Sequence, residues 1–80
     1  MPEAKADLDF WVKSGNKAVL KKIAQLFESV SKTPFQGIGK PEPLKYSLTG
    51  CWSRRLDKEH RFVYEVHSDK IIVLSLKGHY

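Results

Sequence analysis

The hydrophobic period of this chain changes once, at Pro43, and that change restricts the fold more than any other feature. Before it, Val19, Ile23, Leu26, Phe27 and Val30 recur at the spacing of one helical face. After it, Leu44, Tyr46 and Leu48 alternate with Lys45 and Ser47, the period of a half-buried strand. A chain of 80 residues has room for a single core, so helices and strands must share it. The expectation is one α+β domain over residues 1–80. Its N-terminal helical hairpin packs on an antiparallel sheet of about four strands.

Local signals place the boundaries. Pro2 suits a first helical turn, and Ala4, Leu8, Trp11 and Val12 then share a face. Gly15 can take the left-handed conformation that stops this helix, and Asn16 can cap the next. Thr33-Pro34 ends the second helix, because proline disfavours helix at the residue before it. Residues 33–43 hold two glycines and three prolines and read as a turn-rich connection. Gly37-Ile38-Gly39-Lys40 lacks the spacing of a phosphate-binding loop. Further strands are expected over Cys51–Leu56, Arg61–Val66 and Lys70–Lys77, with turns at Asp57-Lys58-Glu59 and Ser68-Asp69. Trp11 and Trp52 are assigned to the core. Both faces of the later strands carry apolar residues, so the inward face stays open at this level.

Composition narrows the chemistry. The net charge of +5 favours a polyanionic partner, and nucleic acid is the commonest. All three arginines, Arg54, Arg55 and Arg61, lie close together, and the guanidinium fork suits phosphate. The single cysteine, Cys51, allows no internal disulfide and reads as a small buried residue in a reducing compartment. No secretory pattern opens the chain and no apolar run is long enough to span a membrane, so a cytoplasmic protein with no membrane partner is expected. No cofactor is implied. His60, His67 and His79 have no helical pairing or cysteine partners, so no metal site is expected.

Three residues could converge on chemistry. Glu42 sits between Pro41 and Pro43, which fix the backbone on both sides and discourage regular pairing. Arg61 opens the third strand, and His79 follows the fourth. Taken singly, each has a bland reading: a solvent-facing carboxylate, a cation paired with Glu59 or Asp57, a solvated tail histidine. In a four-strand meander, however, the starts of the first and third strands and the end of the fourth share one rim. Glutamate, arginine and histidine suffice for RNA cleavage without metal. Glu42 takes the 2′-hydroxyl proton, Arg61 steadies the phosphorane, and His79 protonates the departing 5′-oxygen. Tyr46 and Tyr80 can stack on bases.

The run Thr33-Pro34-Phe35-Gln36-Gly37-Ile38-Gly39-Lys40-Pro41-Glu42-Pro43-Leu44-Lys45 closely resembles the Txe/YoeB family of bacterial toxins, within the RelE/ParE superfamily. The likeness continues through Leu48-Thr49-Gly50-Cys51-Trp52-Ser53-Arg54-Arg55-Leu56 and Glu59-His60-Arg61-Phe62-Val63-Tyr64, and closes with Gly78-His79-Tyr80. The resemblance implies a RelE-like fold and a ribosome-dependent mRNA endonuclease acting in the A site. It places the catalytic set on Glu42, Arg61 and His79, and ribosome or RNA contacts on Lys45, Arg54, Arg55 and Tyr80. It also implies a cognate antitoxin of the YefM/Phd kind and a tendency to homodimerise. The family usually begins with a short strand before the first helix, whereas Met1-Pro2-Glu3-Ala4 leads straight into helix. A missing strand would expose a sheet edge or leave a gap in the core. Two alternatives therefore stand beside the nuclease. One is a toxin-fold module that binds antitoxin or ribosome without cutting. The other is gyrase poisoning, as in ParE-like relatives, which needs no proton-transfer set.

Overall fold

The computed structural model describes residues 2–44 and 50–78. Two helices, α1 (Pro2–Ser14) and α2 (Lys17–Lys32), precede four strands, β1 (Glu42–Pro43), β2 (Cys51–Arg55), β3 (Arg61–Val66) and β4 (Ile71–Gly78). The strands form one antiparallel sheet in chain order. The expected helical hairpin and meander are therefore both present. Among the described residues, no helix is long and apolar enough to cross a membrane.

The hairpin turns where the sequence indicates. Gly15 has φ of 70°, a conformation cheap only for glycine, and the Asn16 side chain accepts from the Val19 N–H at 3.1 Å. α2 buries Val19, Ile23, Leu26 and Val30 against Phe62, Tyr64 and Leu76 of the sheet. The expected stripes are each one residue too wide. Phe27 lies at the margin, 44% exposed, and meets the Phe62 ring in a T-shaped contact at 5.1 Å. Val12 is 58% exposed, because α1 rests on the sheet along the Ala4, Leu8 and Trp11 ridge.

That helix is fastened to β4 by backbone as well as by apolar contact. β4 carries two register shifts against β3, one of them between the Arg61–Gly78 and Val63–Ser75 pairs. Leu76 falls in that interval. Its N–H donates to Asp7 Oδ2 at 2.9 Å, and its carbonyl accepts from the Trp11 indole at 2.9 Å. Asp7 also accepts from the Ser75 hydroxyl. Groups that a bulge takes out of the ladder are thus satisfied by α1. Beyond this clasp, an open groove of about 410 Å³ runs beside β4, lined by Ala4, Leu8, Phe27, Ile71 and Val73 among others.

The first strand starts earlier than its apolar alternation suggests. Glu42 and Pro43 pair with Ser53 and Trp52, so the prolines flanking Glu42 do not prevent pairing. β1 is an edge strand, where a missing donor can face outward. Tyr46 and Leu48 lie outside the described residues. Before β1, residues 33–40 wrap around Arg54, which is fully buried. Its guanidinium donates to the carbonyls of Thr33 (2.5 Å), Gln36 (3.0 Å) and Ile38 (3.3 Å), and to the hydroxyls of Ser29 (2.6 Å) and Tyr64 (3.2 Å). The Tyr64 hydroxyl in turn donates to the Pro34 carbonyl at 2.5 Å. The loop passes so close that a Cβ on Gly37 would stand 2.6 Å from Ser29 Oγ and 3.1 Å from Arg54 Nη1. The glycine pair thus serves a buried cation rather than a phosphate.

The turn between β2 and β3 is built on Asp57. Its Oδ1 accepts from the backbone N–H of Glu59 and of His60, and the carboxylate faces His60 Nδ1 at 3.0 Å. The His60 ring meets Trp11 edge-on at 5.0 Å, so the turn also touches α1. Partial burial pushes the Asp57 carboxyl up, but its bonds to His60 and Glu59 outweigh this and hold it below the usual carboxylate value.

Two outcomes are expected. Arg54→Ala removes the donor for three carbonyls and two hydroxyls and lowers stability by at least about 3 kcal/mol, measured by urea unfolding. For Asp57, a folded-state pKa below the unfolded one gives stability that is complete above pH ~4 and lost as pH falls through the lowered value. Unfolding midpoints of wild type and Asp57→Asn should therefore differ at neutral pH and converge on acidification.

Candidate active site

Antiparallel pairing brings the entrances of β1 and β3 to one rim of the sheet, together with the ends of β2 and β4. Residues directly opposed across strands project to the same face. Glu42 is opposed to Ser53, Ser53 to Val63, and Arg61 to both Arg55 and Gly78. These residues therefore share a face. The alternate set, Trp52, Arg54, Phe62 and Tyr64, occupies the other face, where Phe62 and Tyr64 enter the core and Arg54 bonds to Ser29 of α2. The inward face, undecided by sequence, is settled by this register.

Arg61 Nη1 stands 3.7 Å from Glu42 Oε2. The bland pairing of Arg61 with Asp57 or Glu59 is not adopted, since Asp57 is engaged with His60 and the turn backbone. The two partners differ in setting: the Arg61 side chain is 18% exposed, Glu42 53%. Arg61 Nη1 also donates to Ser53 Oγ at 3.4 Å. Arg55 is exposed and its backbone N–H donates to the Gly39 carbonyl at 2.7 Å, so the glycine loop fixes this strand end too. Two guanidinium-bearing residues directly opposed on one face repel each other. The nearby Glu42 carboxylate offsets part of that repulsion, and an entering phosphate would relieve the rest.

The sequence expectations divide accordingly. Glu42, Arg61 and Arg55 come together. Arg54 does not belong with them: its guanidinium is inside the protein and bonded to five protein acceptors, so it offers nothing to RNA or ribosome. Lys45, His79 and Tyr80 lie outside the described residues. The described chain ends at Gly78, opposite Arg61, and His79 is the next residue. Ser53 was not singled out by sequence. Its signal was the period of two from Cys51 through Ser53 to Arg55, which places it between Glu42 and Arg61 once the register is known.

Other reactive groups stand apart. Cys51 is buried at the far end of β2. Burial, and then the adjacent Glu65 carboxylate, raise its thiol, so it is a poor nucleophile. Glu65 also pairs with His67. Among the described residues, no group of three or more His, Cys, Asp or Glu side chains is gathered to hold a metal ion.

With this geometry established, comparison with known proteins gives one answer. The family described as "YoeB-like toxin of bacterial type II toxin-antitoxin system" matches residues 1–80. Toxin YoeB of Escherichia coli (strain K12) is 45% identical over 74 residues, covering 92% of this chain and 87% of that protein. A solved YoeB/ParE toxin from Agrobacterium tumefaciens superposes with a TM-score of 0.93 at 39% identity, over 100% of this chain and 94% of its own. A YoeB-YefM complex from Staphylococcus aureus contains a chain with a TM-score of 0.88 at 43% identity, covering 100% of this chain and 92% of that one. The helical hairpin, the meander and the sequence agree, and the chain belongs to the YoeB-like toxins of bacterial type II toxin–antitoxin systems.

Proposed function

We propose that this protein is a ribosome-dependent endoribonuclease that cuts mRNA in the A site without a metal ion. The observation that carries the reading is the cluster at one rim: Arg61 beside Glu42, with Arg55 directly across the strand. A single phosphodiester needs a base on one side and positive charge on its equatorial oxygens. Glu42, exposed and held at a strand entrance, takes the proton of the ribose 2′-hydroxyl as that oxygen attacks phosphorus. Arg61, partly buried and therefore weakly screened, holds the charge that gathers on the phosphorane. His79, the residue after Gly78, protonates the departing 5′-oxygen. The 2′-oxygen–phosphorus bond forms, the 5′-oxygen–phosphorus bond breaks, and a 2′,3′-cyclic phosphate and a 5′-hydroxyl remain. Arg55, Lys45 and Tyr80 contact RNA or ribosome; Arg54 supports the loop leading to Glu42.

The partner follows from the same family membership. A relative is solved as a YoeB-YefM complex, and a YefM-like antitoxin is the proposed neutralising partner here. The basic surface suits an acidic segment laid over the rim.

Purified protein added to a translating extract should yield cuts in register with codons, mapped by primer extension. Absence of such cuts, when a control toxin produces them, overturns the reading. Glu42→Gln should slow single-turnover cleavage by about 10²–10⁴-fold. Arg61→Ala should slow it by about 10²–10³-fold. Both should still co-sediment with ribosomes. Ribosome binding by a wild-type protein that never cuts would instead identify a docking module.

A further inference from the structure

We infer that Ser53 is a positioning residue that fixes the plane of the Arg61 guanidinium beside Glu42; this rests on the nuclease reading above. Ser53 is the residue of β2 directly opposed to Glu42, and its hydroxyl accepts from Arg61 Nη1. One nitrogen of Arg61 therefore faces two oxygens, Ser53 Oγ at 3.4 Å and Glu42 Oε2 at 3.7 Å. The two oxygens are unequal in freedom. Ser53 is fully buried, which restricts its side chain, whereas the Glu42 side chain is half in solvent. The fixed oxygen sets the orientation of the arginine and the mobile one adapts to it. Because the guanidinium is a rigid planar fork, holding one Nη against a buried oxygen narrows the directions open to its other N–H groups. A phosphate approaching the rim then meets a fork already aimed.

The same contact limits the pairing between Arg61 and Glu42. A base must be free to take a proton, and a carboxylate held in a bidentate salt bridge is a weaker base. The Ser53 hydroxyl competes for the nitrogen nearest that carboxylate. Removing it lets the guanidinium turn fully onto Glu42. Both the clamp and the base then lose their working geometry, while surfaces that bind the ribosome are untouched. Ser53 touches neither substrate nor reacting atoms; its influence runs through Arg61.

The test is a kinetic cycle on programmed ribosomes. Ser53→Ala should lower kcat on the order of ten- to a hundred-fold, with KM nearly unchanged. Ser53→Thr, which keeps the hydroxyl, should recover most of the loss. In an Arg61→Ala background, Ser53→Ala should have no further effect, because its route has been removed. A second readout needs no activity. The Arg61 Nη resonances in ¹⁵N-labelled protein should broaden or average in Ser53→Ala, while those of Arg55 stay as in wild type. Equal losses with and without Arg61, or unchanged kinetics in Ser53→Ala, overturn the inference. If wild type itself fails to cleave, the nuclease reading falls, and the resonances alone decide the role of Ser53: unchanged Arg61 signals refute it.

Discussion

The buried guanidinium of Arg54 is the interaction on which the rest of the site depends. A cation inside a small domain is costly unless its donors find acceptors. Here the acceptors come from three places: the Ser29 hydroxyl of α2, the Tyr64 hydroxyl of β3, and the carbonyls of Thr33, Gln36 and Ile38. A loop with no regular hydrogen bonding is thereby given a definite path between helix and sheet. Gly37 and Gly39 take conformations with φ of 127° and 81°, and both lie too close to Arg54 for a side chain to fit without displacement. The loop delivers Glu42 to the sheet edge. The backbone position of Glu42 therefore depends on a residue on the opposite face of the neighbouring strand.

The adjacent pair Arg54 and Arg55 shows how strand geometry separates identical side chains. Successive residues of a strand point to opposite faces. One arginine enters the interior and becomes part of the scaffold; the next is exposed across from Arg61 and adds to the positive rim. Between them the two faces of β2 divide the packed interior from the charged rim.

Much of this was legible in the sequence. The helical stripe, the Gly15-Asn16 break, the Thr33-Pro34 stop and the β3 limits all follow from local physics, and the meander placed Glu42 and Arg61 on one rim. Four things were not legible. The width of the helical stripes depended on how each helix rolls against the sheet, which left Val12 and Phe27 at the surface. The start of β1 was masked by prolines, which local rules assign to loops and which an edge strand tolerates. The burial of Arg54 was hidden by its charge. The period of two puts Arg54 on one face with Trp52 and Leu56, but a buried cation there is credible only once its five acceptors are seen. Ser53 was missed for a related reason: a serine in a strand announces nothing until its cross-strand neighbours are known.

The clasp between α1 and Leu76 has a consequence for the C-terminal end of the sheet. β4 uses eight residues to run alongside the six of β3, and two register shifts absorb the surplus. A strand with such slack has no unique alignment from ladder hydrogen bonds alone. Asp7 and Trp11 remove the ambiguity by gripping both backbone groups of one residue, two positions before Gly78. The register at which β4 brings Gly78 opposite Arg61 is therefore gauged from the first helix, at the other end of the sequence.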